Sequence, residues 1–170
     1  MKKHASVLFL ILFSVNCIVH AQDSEATFKK AEQKYNAHEY PAAIALYTQA
    51  IKEDPSKKKF YVRRGFCFSL TSDFDSAIED YSKVIEMDPK YKWAYVSRGS
   101  ARNKIAAYKD AIRDFDMAIQ LDPKDGEAYN NRGFAKKGIG DMEGACQDWT
   151  KARKLGVDEC KIILENNHCK

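Results

Sequence analysis

Pro55, Pro89 and Pro123 recur at an interval of 34 residues, each preceded by aspartate and by a mostly apolar helical pattern. A self-similar period of that length implies stacked helix–turn–helix units, because one such unit cannot bury its apolar face alone. A stack of this kind offers a surface for partners rather than a chemical pocket. Aspartate followed by proline also supplies a punctuation mark, since the residue before proline avoids the α region and ends the helix there.

Frames of 34 residues give four units, 24–57, 58–91, 92–125 and 126–159. Small residues return at fixed places: Ala31, Gly65, Gly99 and Gly133 at the eighth position, and Ala43, Ala77, Ala111 and Ala145 at the twentieth. The twenty-seventh holds Ala50, Val84, Ala118 and Ala152. Such residues suit two antiparallel helices whose backbones approach closely, and a leucine at Gly99 or Ala111 would overpack the contact by about 1–3 kcal/mol. Aromatic residues fill other recurring places, with Tyr61, Tyr95 and Tyr129 at position 4 and Tyr47, Tyr81, Phe115 and Trp149 at position 24. Ala77, Ile78, Tyr81, Val84 and Ile85 form an apolar stripe at helical spacing.

This pattern resembles the tetratricopeptide repeat family, which is marked by small residues at positions 8, 20 and 27, aromatics at 4, 17 and 24, and proline at 32. The resemblance covers residues 24–159 and implies an all-α fold: an α-solenoid of four helix–turn–helix repeats. Repeat one departs at Thr27 and Lys30, and repeat four replaces the proline with Gly156-Val157. Leu155-Gly156 reads as a left-handed glycine stop, and a capping helix is expected over about 158–167, where Ile162, Ile163 and Leu164 would cover the last unit. One feature departs from the family pattern. Position 7 carries Arg64, Arg98 and Arg132, and position 23 carries Asp80, Asp114 and Asp148, so an arginine–aspartate pair is expected between the two helices of each complete repeat.

The N-terminus runs Met1-Lys2-Lys3-His4 into an apolar segment ending near Val19-His20-Ala21. That arrangement is a secretory signal peptide with cleavage expected after Ala21, too short for a stable membrane span. Lipid attachment at Cys17 is the alternative, and Ser14 and Asn16 fit a lipoprotein signal poorly. No second apolar segment long enough to span a bilayer follows, so the mature chain is expected to be soluble, in the periplasm or secreted, with the short leader looking bacterial. Of 28 basic residues the leader removes Lys2 and Lys3, leaving 26 against 24 acids. The charges are interspersed, which is no nucleic-acid footprint.

Cys67, Cys146, Cys160 and Cys169 remain after the leader. Cys67 sits at an inward-facing place and reads as a buried free thiol. In an oxidising compartment a disulfide is expected at the C-terminal end. Cys146–Cys169 is favoured and Cys146–Cys160 stands second, a preference that draws on similar C-terminal endings in secreted relatives. His168 with Cys146, Cys160 and Cys169 lacks the paired-cysteine spacing of a zinc site, so no metal and no cofactor are expected. No phosphate loop and no nucleophile–base arrangement is present either, Gly138 and Gly140 falling in a helix–helix turn. The sequence therefore names no catalytic residue and points away from an enzyme.

By resemblance, the first helices of successive repeats line a concave partner-binding face. Its candidate residues here are Phe28, Tyr35, Lys59, Val62, Phe66, Trp93, Val96, Asn103, Lys104, Asn130, Phe134 and Lys137. Rings and aliphatic groups give contact area while amides and lysines hold backbone carbonyls or acidic groups. Trp93 is either a contact residue or packed against Tyr91 and its neighbouring helix. The family's carboxylate clamp does not fit, because its first two slots fall on Phe28 and Glu32, or on Val62 and Phe66. The resulting expectation is an interaction scaffold or adaptor that binds a protein or peptide. The alternative is a self-associating structural module of an envelope assembly.

Overall fold

The structure, a computed structural model, describes residues 23–169; the expected leader at 1–21, with Cys17, lies outside the described residues. Every regular element among the described residues is helical. Helix α1 covers residues 23–36. It is followed by α2 (Tyr40–Glu53), α3 (Lys58–Leu70), α4 (Phe74–Met87), α5 (Lys92–Lys104), α6 (Tyr108–Leu121), α7 (Gly126–Gly138), α8 (Met142–Lys154) and α9 (Cys160–Asn166). The chain divides into two compact units between Thr71 and Ser72, with α1–α3 in the first and α4–α9 in the second.

The period seen in the sequence governs where helices begin and stop. Helices α2, α4 and α6 end at Asp54, Asp88 and Asp122, each extended at φ between −144° and −148° in front of proline. Asp73, Asp125 and Asp141 accept from the backbone N–H of Ser76, Ala128 and Gly144, capping α4, α7 and α8. The turn inside each repeat needs a left-handed residue at position 15, supplied by His38, Ser72, Ala106 and Gly140 at φ of 59°, 63°, 59° and 83°. Gly156 closes α8 at φ 96°, the left-handed stop the sequence implies.

Burial follows the small-residue positions. Ala31, Ala43, Tyr47 and Cys67 form the core of the first unit, with Phe28, Tyr35 and Tyr40 against them. In the second unit Ala111, Phe115 and Ala135 make one cluster, and Tyr95, Ala118 and Ala128 another. A Cβ on Gly99 would lie 2.9 Å from the Phe115 ring, and one on Gly133 2.5 Å from Trp149 Nε1. Glycine there is a condition for helix contact.

Within the second unit the expected arginine–aspartate pairs are present. Arg98 donates through Nε to Asp114 Oδ2 at 3.0 Å and through Nη2 to Oδ1 at 2.7 Å. Arg132 engages Asp148 the same way, at 2.8 and 2.6 Å. Each arginine also reaches back to position 25 of the preceding repeat: Arg98 to Ser82 Oγ at 2.9 Å and Arg132 to Asp116 Oδ1 at 2.6 Å. In the first unit Arg64 donates to Thr48 Oγ1 at 3.0 Å. A second cation sits on each aspartate, Arg102 on Asp114 and Lys136 on Asp148. Burial works against the charge on Arg132, but the carboxylates of Asp148 and Asp116 outweigh it and raise its pKa above the ordinary arginine value.

At the C-terminal end Cys146 and Cys169 are bonded, with Cα atoms 5.5 Å apart, while Cys67 and Cys160 are buried free thiols. The capping helix is shorter than the expected 158–167. It starts at Cys160 because residues 158–159 form the turn after Val157, and Asn167 caps its end. Cys160, Ile163, Leu164 and Cys169 pack on Ala145, Trp149 and Ala152.

Candidate functional site

The inner-face residues of the two units differ in how far they are already occupied. In the first unit Lys59 pairs with Glu25 at 2.6 Å and lies 4.8 Å over the Phe28 ring, which stacks on Phe60 at 4.9 Å. Glu32 takes Arg63 Nε at 3.0 Å and also accepts from Arg63 Nη2 and the Tyr47 hydroxyl. Arg63 in turn lies 5.1 Å over Tyr35, whose ring meets Phe66 at 6.0 Å. Burial, then hydrogen bonding to Glu32, raises the Tyr47 phenol well above its ordinary value. Val62 is half-buried. Phe28, Tyr35, Lys59 and Phe66 are thus brought together, largely as partners of one another.

The second unit carries an open cleft of about 440 Å³ between α5 and α7, lined by Ser100, Asn103, Lys104, Tyr108, Asn131 and Phe134. Asn103 Nδ2 donates to the Asn131 carbonyl at 3.0 Å, which braces α5 against α7, and its Oδ1 is buried without a donor. Phe134 is 42% exposed although its edge meets Trp149 at 5.4 Å. Lys104 is exposed at the C-terminal end of α5. An apolar ring, a cation and several amide groups on two rigid helices can hold an extended or helical peptide carrying an acidic group.

Three of the expected residues of this unit are placed otherwise. Asn130 Oδ1 accepts from the Cys160 thiol at 3.4 Å and its carbonyl accepts from Trp149 Nε1 at 3.2 Å, so it serves the helix cap. Lys137 reaches Asn167 Oδ1 at 2.7 Å. Val96 is half-buried and packs against both core clusters of α5–α7. Trp93 packs edge-on to Tyr81 at 5.7 Å and near Tyr91 at 6.4 Å, and 38% of it is exposed. Asn131 and Tyr108 belong to the cleft, and the repeat pattern does not single them out. Tyr108 falls on an aromatic repeat position; a Cβ on Gly138, the last residue of α7, would lie 2.7 Å from its ring, and the half-buried ring still borders the cleft.

The tetratricopeptide repeat profile matches residues 28–92 and 71–126. The chain belongs to the tetratricopeptide repeat family. No curated protein sequence matches it. Among solved structures, MamA residues 41 to the end from Desulfovibrio magneticus RS-1 aligns with a TM-score of 0.74 at 20% identity, over 78% of this chain and 75% of that one. The tetratricopeptide domain of Arabidopsis OM64 is 30% identical with a TM-score of 0.65, over 69% of this chain and 98% of that one. The first tetratricopeptide domain of Spaghetti (RPAP3), bound to the HSP90 peptide SRMEEVD, aligns with a TM-score of 0.66 at 22% identity, over 71% and 95% of the two chains. These likenesses agree with the helix order and the repeat spacing found here.

Proposed function

We propose that this tetratricopeptide protein is a non-enzymatic adaptor that grips a segment of another protein in the cleft between α5 and α7. The observation that carries this reading is the 440 Å³ cleft itself, in which an exposed phenylalanine, a lysine and amide groups converge on two braced helices. Lys104 selects for an acidic group, Phe134 for an apolar side chain. The same fold holds the peptide SRMEEVD in the RPAP3 domain, which supports peptide capture as the mode without naming the partner. The first unit's inner face contributes less, since its charges already neutralise each other.

The site of action in this proposal is outside the cytoplasm of a bacterial cell, after removal of residues 1–21. The leader pattern of the sequence supports it, as does the bonded pair Cys146–Cys169, a state that persists in oxidising compartments. No helix among the described residues is long and apolar enough to cross a membrane. Mass spectrometry of the mature protein should give an N-terminus at Gln22. Affinity capture from native envelope extract, with the intact chain beside an Asn103→Ala, Lys104→Glu, Phe134→Ala variant of unchanged helix content, tests the cleft. A protein recovered only by the intact chain is the expected outcome; equal recovery by both overturns the assignment.

A further inference from the structure

The last repeat departs from the other three on its second helix. Position 28 holds Ile51, Ile85 and Ile119 in the first three repeats and Arg153 in the fourth. Ile85 and Ile119 are half-buried and pack on the core around Tyr95, Ala118 and Ala128. Arg153 is exposed, and so are Lys154 beside it and Lys161 on α9. Position 25 departs as well. Thr48, Ser82 and Asp116 each accept from the position-7 arginine of the repeat after them. Thr150 meets no such arginine, since Asn166 stands one period after Arg132.

These departures meet at one place. Between α8 and α9 lies an open cleft of about 580 Å³, which Arg153 and Lys154 reach from α8 and Lys161 from α9. Leu164 and Cys169 give it an apolar wall, Thr150 adds a hydroxyl, and Glu165 is the one carboxylate on its lining. Among the described residues none of the three cations forms an ion pair. Elsewhere in the chain lysines near acids are matched, Lys59 by Glu25, Lys92 by Asp122 and Asp125, and Lys136 by Asp148. The negative end of the α8 dipole favours Arg153 and Lys154 in its last turn. It does not account for Lys161, which another helix brings to the same cleft, where three like charges repel one another. A polar end keeps a solenoid soluble with charges of either sign, so solubility does not explain the excess of one sign.

We propose that this cleft binds a short acidic segment of another protein. Its carboxylates meet Arg153, Lys154 and Lys161, and an aliphatic side chain between them lies on Leu164 and on Cys169, which the bond to Cys146 holds against α8. Charge complementarity selects the acids. The apolar wall selects a peptide over a free phosphate, which would leave Leu164 and Cys169 uncovered. Glu165 repels any carboxylate set beside it, which favours acids interrupted by an uncharged residue over a continuous acidic run. The site is separate from the α5–α7 cleft and stands whether or not that cleft binds peptide.

Methyl NMR of the oxidised chain labelled at leucine tests the proposal, because residues 22–170 hold only Leu46, Leu70, Leu121, Leu155 and Leu164. The probe is the peptide GDELDEG with both ends capped. A saturable shift of the Leu164 methyls, with Leu46 and Leu70 unmoved, is expected. Arg153→Gln with Lys161→Gln should weaken the binding read at Leu164 by about tenfold. The control, Lys109→Gln with Lys124→Gln, changes the net charge equally at exposed places elsewhere and should leave it unchanged. No shift at Leu164, or an equal loss in the control, overturns the proposal. A Leu164 shift as large with millimolar inorganic phosphate at matched ionic strength overturns the choice of a peptide in favour of a phosphate group. A shift that follows protein concentration without peptide overturns the choice of a foreign segment in favour of a second copy.

Discussion

Asp114 carries the sharpest energetic consequence of the fold. It is 2% exposed and accepts from Arg98 through two nitrogens and from Arg102 through a third. Arg98 ties the carboxylate to Ser82 of the preceding repeat, so the pair fastens α4, α5 and α6 together. Asp114→Ala strands two guanidinium groups whose side chains are only 16% and 22% exposed. Removing one member of a buried pair costs about 3–5 kcal/mol, most of it for the uncompensated charge left behind. Arg98→Met should cost less, about 2 kcal/mol, because Arg102 still serves Asp114. The double change Arg98→Met, Asp114→Leu should cost less than the sum of the single changes, by about 1 kcal/mol or more, since Arg98 is then not stranded and only Arg102 is left without its carboxylate. Urea denaturation followed by far-UV circular dichroism at pH 7 reads all three. The surface pair Lys34–Glu39, with side chains 44% and 51% exposed, is the control, and breaking it should change stability by under about 1 kcal/mol. If Asp114→Ala costs no more than that control, or the two single changes simply add, the ladder is not a buried electrostatic fastening.

Two further outcomes follow from the backbone and the buried thiols. Ala106 holds φ at 59°, while Gly140 fills the equivalent turn at 83°, where an added Cβ would meet nothing within 4 Å. Ala106→Gly should therefore raise stability and Gly140→Ala lower it, each by roughly 1 kcal/mol in urea denaturation; an unstable Ala106→Gly protein would show that the turn is not strained. Burial pushes the Cys67 thiol from 9.0 up to about 11, so the folded chain keeps a proton that the unfolded chain releases. That stability is complete below about pH 9 and is lost as pH rises through about 11. Urea midpoints measured from pH 7 to 11 should fall more steeply for the intact chain than for Cys67→Ala, and parallel curves would refute the assignment.

Repetition made most of the architecture legible. A contact such as Gly133 against Trp149 is rehearsed at Gly99 against Phe115, so the sequence states the same constraint more than once and each copy corrects the reading of the others. The Arg98–Asp114 and Arg132–Asp148 pairs were visible for that reason. Their second cations, Arg102 and Lys136, were not, because the same position holds Phe68 in the second repeat and a Lys34 paired with Glu39 in the first, and so looks like an ordinary surface place.

The candidate site was less legible, and the cause is physical. Position in the repeat fixes which face of a helix a residue occupies, but not which neighbour claims it. Lys59 and Lys104 both fall on the inner face; Glu25 neutralises the first, whereas the second borders an open cleft. Asn130 and Lys137 occupy inner-face positions and are claimed by the end of the chain, through Cys160 and Asn167. A repeat predicts its own interior, where the next copy supplies the contacts. Where the series stops, at α9, contacts come from residues with no counterpart one period away. Beside Met142 the face of α8 is bordered by Asn167, His168 and Cys169, the last of them bonded to Cys146, so the end of the chain supplies there what a further repeat would have supplied.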